Sequence, residues 1–111
     1  MSESKFQAEV IKFLRIQGCY VRNNWGGGKY GNKGRPDLDA CIDGVYHGIE
    51  LKTDTGTVKE DQAYELEQIN QSQGEGYILR PTKTKLQRKV FLRKYEYYEI
   101  TFDEWKETWF K

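Results

Sequence analysis

Asp43-Gly44 stands between two runs of alternating β-prone residues, 38–42 and 45–51, and such an arrangement folds as a tight hairpin with a two-residue type I′ turn. The turn fixes the register. Ile42 then faces Val45, Cys41 faces Tyr46, Asp39 faces Gly48 and Asp37 faces Glu50. One side of the hairpin carries Leu38, Ala40, Ile42, Val45, His47, Ile49 and Leu51, an apolar face that places it centrally in a sheet. His47, on that face, is expected to be a core histidine with satisfied hydrogen bonds and no role as a general base. The other side carries Asp37, Asp39, Glu50 and Lys52. By itself such alternation also fits a plain solvated surface. Opposed side chains have Cβ atoms about 4.5–5.5 Å apart, however, and like charges so placed repel unless a proton or cation lies between them.

Around the hairpin the chain reads as one α/β domain over residues 1–111, with a central mixed β-sheet flanked by helices. Residues 3–17 repeat Phe6, Val10, Phe13 and Leu14 at helical spacing, and Gly18 supplies a stop. A strand is expected over 19–24. The following segment, 25–35, holds five glycines together with Trp25, Lys29, Tyr30 and Lys33. It lacks the spacing of a phosphate-binding Walker loop, so no nucleotide cofactor is implied. After a polar turn, 59–73 places Gln62, Leu66 and Ile69 on one helical face, and 75–80 is a short strand. Residues 81–93 fit one side of a basic helix, the favoured reading, or a strand and loop, and the alternating aromatics of 94–100 suggest an edge strand. Thr101-Phe102-Asp103-Glu104 has the form of a capping box that opens a last helix through Trp109.

The net charge of +1 announces no polyanionic partner, but the distribution of charge is uneven. Residues 80–94 hold seven Lys or Arg and no acid, and residues 22–35 hold four and no acid. Clusters of this kind suit phosphate binding and also suit an ordinary soluble surface. Cys19 and Cys41 fit two reduced, buried thiols of a cytoplasmic protein, and no apolar run is long enough to span a membrane. One histidine and two distant cysteines do not make a structural zinc site. A metal bound here would take oxygen ligands, which points to Mg²⁺ or Mn²⁺.

Pro36-Asp37, twelve residues, then Glu50-Leu51-Lys52 resembles the PD-(D/E)XK nuclease signature. The layout from about Ser2 to about Pro81 is most similar to the small stand-alone VRR-NUC nucleases, themselves similar to Holliday-junction resolvases. The last thirty residues lie outside the resemblance. It implies a restriction-endonuclease-like core in which Asp37, Glu50 and the Leu51 carbonyl hold Mg²⁺ or Mn²⁺. Lys52 would orient the attacking water or stabilise the transition state, and Gln62 would touch water or phosphate beside it. The resolvases bring a glutamate to the metal from the first helix. Gln7 takes that place here, so either Gln7 or Glu3 one turn earlier is the accessory residue. Asp39 is a polar residue opposite Gly48 and, less simply, a second metal ligand. Arg22, Lys29, Lys33 and Arg35 are candidates for holding the DNA backbone, and Trp25 and Tyr30 for stacking on a base or for packing under their loop.

The function implied is a metal-dependent endonuclease of four-way junctions or other branched DNA, serving recombination and acting as a homodimer, since a C2 pair of sites matches two equivalent strands. The alternatives are a flap, duplex or RNA nuclease of the same chemistry, and a DNA-binding module that keeps the fold without the activity.

Overall fold

The structure, a computed structural model, describes residues 1–24, 34–84, 89–92 and 95–111, with 89–92 described by backbone alone. In chain order these form α1 (Glu3–Ile16), β1 (Tyr20–Asn23), β2 (Leu38–Ile42), β3 (Val45–Leu51), α2 (Glu60–Gln71), β4 (Glu75–Arg80), β5 (Lys89–Leu92), β6 (Tyr95–Thr101) and α3 (Phe102–Trp109). Among the described residues the strands make a single mixed sheet in the order β1-β2-β3-β4-β6-β5. No described helix is long and apolar enough to cross a membrane.

The hairpin register is the one the turn dictates. Ile42 pairs with Val45, Cys41 with Tyr46 and Asp39 with Gly48, and Asp43 and Gly44 both hold the positive φ (55° and 80°) of a type I′ turn. β1 adds antiparallel to β2, while β3, β4 and β6 run parallel to one another, with α2 as the crossover between β3 and β4. Each face of the sheet has its own core. Phe6, Val10 and Leu14 of α1 and Trp105 of α3 bury one face against Leu38, Ala40, Ile49, Tyr77 and Ile100. Ala63 and Leu66 of α2 cover the other, over Ile78 and Tyr97.

Local chemistry accounts for the helix ends. Ser2 caps α1 by accepting from the Lys5 N–H (3.2 Å), and Gly18 leaves it at φ 82°. Thr101 and Glu104 form the expected capping box of α3. Asn70, near the end of α2, donates to the Gly76 carbonyl (2.9 Å) and accepts the Gly76 N–H (2.8 Å), so a side chain fastens the helix to β4.

Three expectations are corrected. Residues 89–92 are a strand instead of part of a helix, because their Val-Phe-Leu sequence pairs antiparallel with β6. β6 is therefore an inner strand, parallel to β4 on one side and bonded to β5 on the other; its alternating aromatics reflect two covered faces and not an edge. The thiols are free but not both buried: Cys41 is exposed and Cys19 half-buried, since Cys41 lies on the side of β2 that α1 and α3 do not cover.

Candidate active site

The end of the hairpin away from its turn brings together four of the side chains singled out in the sequence. Glu50, at the end of β3, is buried, and its Oε2 accepts from Gln62 Nε2 (2.9 Å). Lys52 Nζ stands 4.0 Å from the same oxygen. Asp37, just before β2, accepts the Leu51 N–H at Oδ2 (2.9 Å), which ties it to the residue between Glu50 and Lys52. Gln62 reaches Glu50 because it sits in the first turn of α2, where its Oε1 also accepts the Lys59 N–H (3.0 Å). Gly34, at φ 79°, lies against that same turn. A Cβ at Gly34 would come 2.7 Å from the Asp61 carbonyl, so the residues leading into Asp37 approach the helix more closely than a side chain permits.

The electrostatics are those of carboxylates short of a counter-charge. Burial raises the Glu50 carboxyl far above its ordinary value, the neighbouring Asp37 raises it further, and Lys52 opposes both. Burial also raises Asp37, with the Leu51 N–H, a hydrogen bond from the Glu50 carboxyl and the Lys52 charge pulling the other way. Glu50 Oε1 is buried with no hydrogen-bond partner.

That orphaned oxygen, beside a second carboxylate and without soft ligands, fits a hard divalent cation. Among the described residues no group of three or more His, Cys, Asp or Glu side chains is arranged around one point. The two carboxylates of Asp37 and Glu50 are the donors that could hold such an ion, a pair suited to Mg²⁺ or Mn²⁺, which keep waters and phosphate oxygens in their remaining positions.

The first helix separates its two accessory candidates. Gln7 is buried and donates from Nε2 to Asn23 Oδ1 (2.7 Å), a bond that ties α1 to β1. Glu3 is the one that feels the site: after burial, the largest influences on its carboxyl are Asp37, which raises it, and Lys52, which lowers it.

Asp39 proves to be a hub. Its Oδ2 accepts from Arg22 Nε and Nη2 (3.2 and 3.0 Å) and from Arg35 Nη2 (3.3 Å), while its Oδ1 accepts from Tyr46 Oη (2.6 Å). These partners hold Asp39 below the usual carboxylate range despite its burial. Two of the DNA-backbone candidates, Arg22 and Arg35, are therefore organised by one carboxylate. Lys29, Lys33, Trp25 and Tyr30 lie outside the described residues.

Two further residues depart from their sequence reading. Arg80, counted within the basic run, is fully buried: it pairs with Glu99 and donates from Nη1 to the carbonyls of Thr53 (2.6 Å) and Gly56 (2.9 Å), in the turn that follows Lys52. His47 is buried as expected but only half satisfied. Trp105 Nε1 donates to Tyr77 Oη (2.7 Å), which shares a hydrogen bond with His47 Nδ1 (2.8 Å), and among the described residues His47 Nε2, beside the Trp109 ring, has no partner. Asp39 opposite Gly48 and Arg22 beside Asp39 follow from strand register, so the hub was within reach of the sequence. A buried arginine in a basic run carried no such signal.

No protein-family model matches the chain, and no curated protein matches it.

Proposed function

We propose that the protein is a Mg²⁺- or Mn²⁺-dependent DNA endonuclease that hydrolyses phosphodiester bonds in four-way or other branched DNA, working as a symmetric dimer. The observation that carries this reading is the pairing of buried Glu50, with one oxygen unsatisfied, and Asp37 beside Lys52 and Gln62. A site that served folding alone would not leave a buried carboxyl whose affinity for a proton is raised further by a second carboxylate beside it.

In this mechanism Asp37, Glu50 and the Leu51 carbonyl hold the cation, which when bound supplies Lewis-acid activation of water and of the phosphate. Lys52, mostly buried and tethered to the site through the turn that Arg80 clamps, keeps its positive charge where the phosphorane gathers negative charge. Gln62 fixes the orientation of Glu50 from the helix and leaves one Nε2 hydrogen for a water or phosphate oxygen. Glu3 contributes negative charge from α1 at the edge of the cation site.

The test is cleavage of a synthetic four-way junction with Mg²⁺ or Mn²⁺ by the wild type, Lys52→Ala and Glu50→Gln, with flap, linear duplex and RNA substrates alongside. Junction cleavage that falls by at least about 10²-fold in both variants supports the reading. Equal cutting by wild type and Lys52→Ala would remove Lys52 from the mechanism, and no cutting of any substrate would remove the activity.

A further inference from the structure

The face of the sheet that α2 shares is covered only in part, because α2 packs on β3, β4 and β6. Among the described residues no helix packs on the outer side of β1, β2 and the start of β3, and the side chains there fall in cross-strand rows. Tyr20, Cys41 and Tyr46 form the first row, and Arg22, Asp39 and Gly48 the second, with Gly48 already beneath Ile69 and Pro36 so that the exposed part of this row is Arg22. Asp37 and Glu50 follow as the third, at the candidate active site. Successive rows are about 6.6–6.8 Å apart, since same-face residues alternate along a strand.

The first row is aromatic and accessible. Tyr20 is 66 % exposed and Tyr46 43 % exposed, an unusual state for two large rings on one sheet face. Tyr46 lies down on the sheet, with its Oη on Asp39 and within 3.3 Å of where a Gly48 Cβ would stand, so one ring face is left toward solvent. The second row is cationic. Arg22 and Arg35 together outnumber the one carboxylate between them, and their side chains are 56 % and 37 % exposed. Arg22 turns its Nε/Nη2 edge to Asp39 and Arg35 only Nη2, so among the described residues the remaining N–H donors of two pre-oriented guanidiniums are not taken up.

We propose that this open face binds an unpaired nucleic-acid strand, with a base stacked on Tyr20 and Tyr46 and a phosphate seated between Arg22 and Arg35. The identity of the polymer rests on the endonuclease reading, which the platform deepens by naming what the branch must offer: a strand whose bases are free. A duplex hides its base faces, and only splayed bases can use exposed aromatic rings. Asp39 is the positioning residue, holding both guanidiniums and the Tyr46 ring at once. The order of rows leads the strand from stacking, through phosphate capture, to Asp37 and Glu50.

The test is fluorescence anisotropy of a labelled oligothymidylate titrated with the whole chain in EDTA over a range of salt. Stacking is worth about 1–3 kcal/mol per base, so Tyr20→Ala should weaken binding by roughly 5- to 150-fold with the salt dependence unchanged, and Tyr20→Trp should restore it. Arg22→Ala and Arg35→Ala should each lower the slope of log K against log salt by about 0.7, the loss of one phosphate contact on a single strand. Asp39→Asn should lose affinity with both arginines still present. Thermal melts of each variant separate these effects from unfolding. Binding indifferent to Tyr20→Ala, equal competition by a duplex of the same length, or no oligothymidylate binding at all overturns the platform. So does a Tyr20→Ala variant that binds normally but changes oligomeric state, which would make the face a protein interface. Since EDTA excludes the cleavage chemistry, Tyr20-dependent binding without junction cutting defeats only the nuclease reading, and cutting with Tyr20-independent binding defeats only the platform.

Discussion

Arg80 donates from Nε to Glu99 Oε1 at 2.8 Å and from Nη2 to Glu99 Oε2 at 3.0 Å, and both side chains are shut off from solvent. The third nitrogen of the same guanidinium holds the Thr53 and Gly56 carbonyls. One residue thus joins the two inner parallel strands, β4 and β6, to the turn that carries on from Lys52. Removing it takes two hydrogen bonds from the Glu99 carboxyl and leaves the buried Thr53 and Gly56 carbonyls without the guanidinium. Arg80→Met is expected to cost about 3–5 kcal/mol in urea unfolding, against about 0–1 for an exposed pair. An effect below about 1 kcal/mol would mean that water replaces the guanidinium. Backbone amides of 53–56 should also exchange faster with solvent in this variant.

His47 should titrate far below its ordinary range. Burial holds its folded value at about 4, against 6.5 for a free imidazole. The ring is shut off from solvent against Tyr77 and Trp109, so protonation puts a charge into the core. A depressed histidine gives stability that is complete above the unfolded value and is lost as pH falls from about 6.5 through about 4. The full amount is about 3 kcal/mol. His47 is the only histidine in the chain, so its imidazole resonance can be followed without assignment by mutagenesis. A midpoint near 6.5 would show a ring open to water.

Much of the fold follows from residues that act locally. Asp43-Gly44 determined the hairpin register, and with it the alignment of Asp37 and Glu50 with Lys52 beyond them; Gly18 and the Thr101–Glu104 box marked their helix ends. Gln62 came to the site because helical spacing from Leu66 turns it toward the sheet. What stayed illegible depends on partners distant in sequence. Residues 89–92 form a strand only because β6 lies beside them, and β6 is an inner strand only because β4 accepts it in parallel. Arg80 looked like surface because its counter-ion lies 19 residues on, at Glu99. Gln7 and Glu3 share a helix face, and only the placement of Asn23 decides that Gln7 is engaged there.

Metal binding at the candidate site should be linked to protons with a definite sign. Burial and Asp37 raise the folded Glu50 value above the 4.5 of an unperturbed carboxyl, so the metal-free folded chain keeps a proton that the unfolded chain has released. The resulting stability is complete below about pH 4.5 and is lost as pH rises toward the folded value. Glu50→Gln, which carries no proton to lose, should flatten that decline and be more stable than the wild type at about pH 8 without metal. A divalent cation replaces the proton, so Mn²⁺ should raise the melting temperature of the wild type more at pH 8 than at pH 5 and leave Glu50→Gln unmoved. An equal Mn²⁺ shift in both proteins would place the metal elsewhere.

Two glycines under α2 should differ in what they tolerate, and the reason is the kind of atom above each. A Cβ on Gly48 would meet Ile69 Cδ1 at 2.6 Å and Pro36 Cγ at 3.0 Å, and the first of these is the tip of a side chain that can turn away. A Cβ on Gly76 would meet the Leu66 carbonyl oxygen at 2.9 Å and the Leu66 Cα at 3.2 Å, which are backbone atoms of the helix itself. Relief at Gly76 requires α2 to lift from β4, straining the Asn70 bonds to the Gly76 backbone. Gly76→Ala is therefore expected to lose about 2–3 kcal/mol and Gly48→Ala nearer 1 kcal/mol, within the usual span for overpacking. Shortening the obstructing side chain with Ile69→Val should recover part of the loss in Gly48→Ala and none in Gly76→Ala. Because lifting α2 also draws Gln62 away from Glu50, Gly76→Ala should weaken Mn²⁺ stabilisation along with the fold, whereas Gly48→Ala with Ile69→Val should retain it. Chemical denaturation of the single and double variants, with and without Mn²⁺, reads both effects, and equal losses at the two glycines would show that the helix moves as freely as a side chain.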